Sequence, residues 1–188
     1  MFNLLTDRLP ETVMIDGEKC YLKTDFKNWI AFELIVTDRS LTDEQKLMAV
    51  LPICFGKLPT NPEIAVKACA KFYCGERTKE KNRSENSRPL SSFLYDDELI
   101  FSAFMSQYAI DLSSAKMHWY KFRALFKGLK ADCKIVEIMR IRSINLAEIK
   151  DAEVRNKYRE LKEIWRLPDE RSEKEKTDEI VRAVEGLF

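Results

Sequence analysis

Hydrophobic residues recur at helical spacing along most of this 188-residue chain. The clearest case follows Asp151, where apolar residues recur every three or four positions and therefore share one face of a helix. This stripe consists of Val154, Tyr158, Leu161 and Trp165. We predict an amphipathic helix over this stretch, ended by Pro168.

Helix-start signals precede other apolar stretches. Thr42 and Gln45 have the spacing of a capping box, in which each residue's side chain bonds to the other's backbone amide. Pro52 is predicted to end or kink the helix that this box opens. Asn61-Pro62 predicts an N-cap followed by the first helical residue, and Gly75 predicts the end of that helix.

The second half of the chain contains weaker signals. Ser113 or Ser114 is predicted to cap a helix, and Asn145 to Glu148 has the spacing of a second capping box. The stretch from Cys133 to Ile144 is rich in β-branched residues, so it is compatible with a helix or a strand. A helix is favoured because Asp132 can serve as its cap, but periodicity alone does not decide.

One β-hairpin is predicted near the N-terminus, where Asp16-Gly17 separates two short apolar runs. An isolated hairpin is marginally stable, so it must pack on helices. The chain has only five glycines and six prolines, which favours long regular elements over many tight turns. The predicted fold is mainly α, a helical domain of about six to eight helices with a short N-terminal β-hairpin.

Composition divides the chain into four parts. Residues 1–75 hold the hairpin plus helices, and residues 76–92 form a charged, flexible linker with almost no apolar residue to bury. Residues 93–168 are an aromatic-rich helical part. Residues 169–188 are a charged spacer followed by a C-terminal amphipathic helix. The linker is the natural boundary if the helices form two subdomains.

Two sets of apolar residues are candidates for binding a partner. The aromatic-rich part offers Trp119 and Phe122, although packing in the domain's own core is the simpler explanation for either residue. The C-terminal helix stands beyond a charged spacer, so its apolar side either contacts a partner or folds back on the domain. That side consists of Ile180, Val181, Val184, Leu187 and Phe188.

The charge balance excludes several classes of partner. Lys and Arg number 32 and Asp and Glu number 31, so we expect no general attraction to nucleic acid or to an anionic membrane. The first residues lack the basic and apolar pattern of a signal peptide. The five cysteines include no C-x-x-C pair and are expected to be reduced, buried thiols. We therefore expect a cytoplasmic protein.

Catalytic chemistry has few candidates in this sequence. His118 with Asp111, or the cluster Asp96-Asp97-Glu98, could be drawn as a general base or a metal site. The two adjacent aspartates are better explained as first-turn residues of a helix, where the dipole favours negative charge. A single histidine cannot build the familiar zinc spacings. We predict no enzyme, no catalytic residue, no cofactor and no metal.

Several motifs together resemble the phage gene-product-fifteen family. These are Tyr95-Asp96-Asp97, Gln107-Tyr108-Ala109-Ile110-Asp111-Leu112, His118-Trp119-Tyr120-Lys121-Phe122, Leu125-Phe126-Lys127-Gly128-Leu129, Ile141-Arg142, Lys157-Tyr158-Arg159 and Trp165-Arg166-Leu167-Pro168. The hairpin-then-helix opening is also similar to that family, so the resemblance covers almost the whole chain.

This resemblance implies a tail-assembly protein of tailed phages or prophages of Gram-positive bacteria, acting in the host cytoplasm. It implies a chaperone that binds the tape-measure protein or other tail components, without catalysis. The alternative is a structural tail-completion or connector component of the virion.

Overall fold

The computed structural model describes residues 3–75 and 89–168. These residues form seven α-helices and one two-stranded antiparallel sheet, and about 55% of them are helical. The predicted mainly α fold with a short N-terminal hairpin is confirmed. In chain order the elements are β1 (Thr12–Ile15), β2 (Glu18–Tyr21), α1 (Phe26–Thr37), α2 (Asp43–Cys54), α3 (Pro62–Cys74), α4 (Asp97–Tyr108), α5 (Trp119–Lys127), α6 (Lys134–Ser143), a 3₁₀ turn (Leu146–Glu148) and α7 (Ala152–Ile164).

The hairpin turns at Asp16 and Gly17, as predicted. Both residues have positive φ, 49° and 80°, as the two-residue turns that match strand twist require. Ile15 pairs with Glu18 across the turn. Because side chains alternate along a strand, Ile15 is buried in the core while its neighbour Met14 is exposed. The hairpin is therefore anchored by one face.

The predicted capping signals of the first half are present. Thr42 Oγ1 accepts from the Gln45 amide at 3.3 Å, and Gln45 Oε1 accepts from the Thr42 amide at 2.8 Å. Asn61 Oδ1 caps α3 by accepting from the Ile64 amide at 3.2 Å. Helix α2 passes through Pro52 and ends at Cys54, so Pro52 does not end it.

The start of α5 differs from its prediction. Neither Ser113 nor Ser114 caps this helix, which begins only at Trp119 with His118 as its N-cap. Asp111 is the reason, because its carboxylate accepts from the Ser113 amide at 2.8 Å and hydroxyl at 2.5 Å. These local bonds form a turn that competes with helix.

The stretch that was compatible with helix or strand is helix α6. Its N-cap is Cys133 rather than Asp132, and no side chain caps it. Helix α6 contacts both α4 and α7. The second predicted capping box is a short 3₁₀ turn, in which Asn145 Oδ1 accepts from the Ala147 amide at 3.1 Å. The amphipathic helix predicted after it is α7, capped by Asp151.

One hydrophobic core contains residues from both sides of segment 76–88, which lies outside the described residues. The ring of Phe26 in α1 stacks on Phe122 in α5, with centroids 4.8 Å apart. The ring of Tyr73 in α3 stacks on Trp119 at 5.1 Å. Such aromatic pairs add stabilisation beyond area burial. Helices α1, α3 and α5 therefore share one core.

Candidate functional site

Asp96, a candidate general base or metal ligand, is buried in an ion pair. The residue is 2% exposed. Its Oδ2 lies 2.6 Å from Arg142 Nη1, and its Oδ1 lies 2.9 Å from Arg142 Nη2. Oδ2 also accepts from the Ser92 amide at 2.9 Å. Both oxygens are thus engaged by donors, which suits a structural carboxylate rather than a reactive one.

Arg142 also binds the backbone of two further segments. Its Nη1 donates to the Leu90 carbonyl at 2.9 Å, and its Nε donates to the Trp165 carbonyl at 2.7 Å. Lys162 Nζ in turn donates to the Arg142 carbonyl at 2.9 Å. This cluster holds the start of α4, the end of α6 and the end of α7 together. Three of the motifs that carry the family resemblance meet here.

His118 has a structural role at the start of α5. Its Nδ1 accepts from the Tyr120 amide at 3.1 Å, so Nδ1 is unprotonated, and Nε2 donates to the Pro10 carbonyl at 3.0 Å. Burial lowers the pKa of this imidazole, while the bond to Pro10 opposes that effect. Asp111 bonds to Ser113 instead. The arrangement favours a neutral, capping histidine.

The predicted partner-binding aromatics lie in the core. Trp119 is 2% exposed and Phe122 is 1% exposed. Trp119 Nε1 donates to the Tyr73 carbonyl at 3.0 Å, and the Phe122 ring stacks on Phe104 with centroids 5.1 Å apart. Neither side chain is on the surface, so their explanation as core residues fits the structure. The other predicted contact residues, Ile180, Val181, Val184, Leu187 and Phe188, lie outside the described residues.

A surface groove of about 580 Å³ lies between the N-terminal segment, strand β1 and helices α3 and α5. The residues that line it include five with apolar side chains, Leu4, Val13, Met14, Ala68 and Ala124. Its floor includes Phe72 and Tyr120, whose rings stack with centroids 4.8 Å apart. The Tyr120 hydroxyl donates to the Phe72 carbonyl at 3.0 Å, which fixes this pair.

Three basic residues also line the groove. Lys71 of α3 and Arg123 and Lys127 of α5 line it, and no carboxylate is among the lining residues of the described chain. Arg123 Nη1 donates to the Tyr73 carbonyl at 2.8 Å, and its guanidinium lies over the Trp119 ring at 5.8 Å. Burial lowers the pKa of Arg123. Within residues 3–75 and 89–168, the groove therefore combines apolar and basic lining residues with no acidic one.

The sequence profile of the family described as Bacteriophage Gp15 protein matches residues 5–167 of this chain. That is well over half of its length. The chain belongs to the Bacteriophage Gp15 protein family. The suspected family is thus confirmed. No curated protein and no solved structure is similar enough to count as a match.

Membership of the Bacteriophage Gp15 protein family indicates a role in phage structure or assembly. The match includes the Asp96–Arg142 pair and the lining residues of the groove other than Leu4. Among the described residues, no group of three or more His, Cys, Asp or Glu side chains is placed to hold a metal ion. No helix in residues 3–75 and 89–168 has the length and apolar character to cross a bilayer.

Sequence reasoning did not identify the groove. Its walls come from residues that are far apart in the chain, so no local pattern contains them. One signal was available, since Arg123 and Lys127 are four residues apart and share a face of α5. A pair of cations on a helix that also carries core aromatics marks the edge where the core meets solvent.

Proposed function

We propose that this Gp15-family protein is a non-enzymatic tail-assembly protein, a chaperone that binds the tape-measure protein in the host cytoplasm. The family match over residues 5–167 is the observation that carries this proposal. A phage assembly role covers scaffolding, chaperone and structural functions. The resemblance of the motifs to tail-morphogenesis proteins supports tail assembly among these roles.

The expected chemistry of a tape-measure protein supports binding to a partner that has an apolar groove. Such a protein is a long helical chain whose apolar faces are exposed until the tail tube forms around it. Amphipathic helices are commonly recognised by grooves that accept one apolar face. The groove between β1, α3 and α5 has the mixed apolar and basic surface that such a helix could occupy.

The residues best suited to catalysis are bonded to other groups of the protein, which supports the proposal of a non-enzymatic role. Asp96 is bonded by Arg142 and Ser92. His118 uses both ring nitrogens to join α5 to the N-terminal segment. A general base must be within reach of a substrate proton, and these groups are occupied by the protein's own backbone and side chains.

Co-expression with the neighbouring tail genes tests the proposal. The tagged protein is purified together with its partners, which are identified by mass spectrometry. We expect specific recovery of the tape-measure protein, and we expect a tape-measure fragment to stay soluble only when this protein is present. A fragment that remains insoluble on co-expression would count against the chaperone.

Purified phage particles separate the chaperone from a structural component. A chaperone should be absent from particles, because it leaves when the tube assembles. Persistence of the protein in particles, together with recovery of only tube or connector proteins, would assign it to tail completion or connection instead.

A further inference from the structure

We propose that the groove between β1, α3 and α5 binds an acidic amphipathic helix of a partner protein. This inference rests on the proposed function and names the chemistry of the contact. The partner helix would place an apolar stripe against Val13 and Ala68 and carboxylates against Lys71 and Lys127.

The charge of the groove favours an acidic occupant. Lys71, Arg123 and Lys127 all line the groove, and among the described residues none of the three forms an ion pair with a carboxylate. Arg123 is half-buried, and it donates to a neutral group, the backbone carbonyl of Tyr73. A charge removed from water without a counter-charge is unfavourable. A carboxylate on the partner would supply that counter-charge.

The size of the groove matches a helix. One α-helical turn fills a cylinder roughly 10 Å wide and 5.4 Å long, or about 420 Å³. Half of that cylinder is about 210 Å³ per turn, so a groove of about 580 Å³ receives the apolar half of a helix over nearly three turns. The contact would involve apolar residues at i, i+3 or i+4, and i+7 of the partner.

A protein helix fits this groove better than nucleic acid does. Strands of nucleic acid are bound through stacking of bases on exposed aromatic rings. In the groove, the Tyr120 ring is already stacked on Phe72, and Phe72 is buried. No other aromatic ring is among the described residues that line the groove, and the whole chain has a net charge of only +1. These features favour an apolar, acidic ligand.

Cys74 provides a reporter inside the groove. It is exposed, it lines the groove, and it is the last residue of α3. Cys54 and Cys69 are buried, whereas Cys20 and Cys133 are half-buried. Replacing Cys20 and Cys133 by Ser leaves Cys74 as the accessible thiol. The rate at which a thiol reagent modifies Cys74 then measures whether the groove is occupied.

The test uses two synthetic helices of about 20 residues, long enough to be helical in water. Both carry leucines at i, i+3, i+4 and i+7, and their flanking positions are Glu in one and Lys in the other. We expect the acidic peptide to slow modification of Cys74 at least about tenfold and the basic peptide to leave it unchanged. Equal protection by both peptides, or by neither, would overturn the proposal.

Charge reversal in the protein sharpens the test. Lys71→Glu with Lys127→Glu should abolish protection by the acidic peptide and create protection by the basic peptide. Lys57→Glu with Lys130→Glu gives the same net charge on exposed residues outside the groove, so it should behave like wild type. Equal loss in both double variants would overturn the proposal. If charge reversal prevents folding, the milder double variant Lys71→Gln with Lys127→Gln replaces it.

Two further measurements of Cys74 modification test other possible occupants of the groove. The first is a nucleic acid, tested with oligothymidine. If oligothymidine slows modification of Cys74 to the same extent as the acidic peptide, the groove is a general anion site and the proposal is wrong. Residues 169–188 of the chain itself contain seven carboxylates and four basic residues, so they are also an acidic apolar segment. If ending the chain at Pro168 alone speeds modification of Cys74, that segment is the occupant and the proposal is wrong.

The experiments distinguish a wrong assignment of the groove from a wrong proposed function. If wild type recovers the tape-measure protein and the Lys71→Glu, Lys127→Glu variant recovers as much, the groove is not the contact, although the chaperone function stands. If no tail protein is recovered while the acidic peptide still protects Cys74, the groove inference stands and the proposed function fails.

Discussion

Arg142 holds Asp96 through two parallel contacts, Nη1 to Oδ2 at 2.6 Å and Nη2 to Oδ1 at 2.9 Å. The two side chains are 9% and 3% exposed. A pair of charges this far from water is stable only when both remain and their other bonding groups are satisfied. Arg142 meets that condition through the carbonyls of Leu90 and Trp165. The pair therefore fixes how α4, α6 and α7 meet.

Breaking this pair should strongly destabilise the protein. Asp96→Ala leaves the Arg142 guanidinium buried without its counter-charge, so we expect a loss of about 3–5 kcal/mol in the free energy of unfolding. Urea denaturation measures the loss. The exposed pair Lys134–Glu137, with side chains 50% and 44% exposed, is the control. Glu137→Ala there should cost no more than about 1 kcal/mol.

A double variant separates the pair from general packing. Arg142→Met in the Asp96→Ala background removes the orphaned charge, so part of the lost stability should return. If Asp96→Ala costs as little as Glu137→Ala, the buried pair does not have the assigned role.

The local part of the fold was predictable because its signals lie within a few residues of each other. Thr42 and Gln45 satisfy each other's amides one turn apart. Asp16 and Gly17 adopt the positive φ of their turn without help from the rest of the chain. Such elements depend on side-chain size and local hydrogen bonding.

The missed features depend on contacts between distant residues. His118 is not a favoured N-cap residue, yet it caps α5 because the Pro10 carbonyl, 108 residues away in sequence, fixes its ring. The buried pair joins residues 46 positions apart. The groove is lined by residues of the N-terminal segment, the hairpin, α3 and α5, which come together only in the folded chain. No window of local sequence contains these relationships, so propensity cannot predict them.

Gly75 should not tolerate a side chain. Its φ is +75° and its ψ is 150°, a conformation that is nearly restricted to glycine, and an added Cβ would lie 2.8 Å from Arg123 Nη1. We expect Gly75→Ala to lower the free energy of unfolding by about 1–3 kcal/mol. Thermal unfolding followed by circular dichroism measures this effect.

Gly56→Ala is the matched control for Gly75. No atom lies within 4 Å of a Cβ built on Gly56, and its φ is outside the left-handed range. Alanine there should be neutral or should stabilise by up to about 1 kcal/mol, because it restricts the unfolded chain. Equal destabilisation at both positions would mean that backbone conformation at Gly75 is not the cause.

Stability should fall in mild acid through His118. Burial lowers the pKa of the folded imidazole below its usual value of 6.5, so the unfolded chain takes up the proton first. The stability that neutral His118 contributes is complete above pH 6.5 and is lost as pH falls through the folded pKa. His118→Asn keeps a capping oxygen but does not titrate. Wild type should therefore lose stability relative to this variant between pH 7.5 and pH 5, measured by urea denaturation. A constant difference across that range would contradict the prediction.

Glu33 should have the opposite pH dependence. Burial raises the pKa of its carboxyl from 4.5 to about 6. The folded protein then binds a proton more readily than the unfolded chain does, so the stability this group contributes is complete below pH 4.5 and is lost as pH rises through about 6. Glu33→Gln removes the titration and keeps an oxygen that accepts from the Tyr73 hydroxyl. At pH 8 the variant should be more stable than wild type by up to about 2 kcal/mol, and the gap should close by pH 4.5.

Two controls assign this pH dependence to burial at Glu33. Glu160→Gln makes the same carboxylate-to-amide change at an exposed position of α7, so it controls for the substitution itself and should change the free energy of unfolding by no more than about 0.5 kcal/mol. Tyr73→Phe removes the hydroxyl that donates to the Glu33 carboxylate, so it should raise the pKa of Glu33 further and move the pH-dependent loss of stability upward. A gap between wild type and Glu33→Gln that stays constant with pH would show that the Glu33 carboxyl is not desolvated in the folded protein.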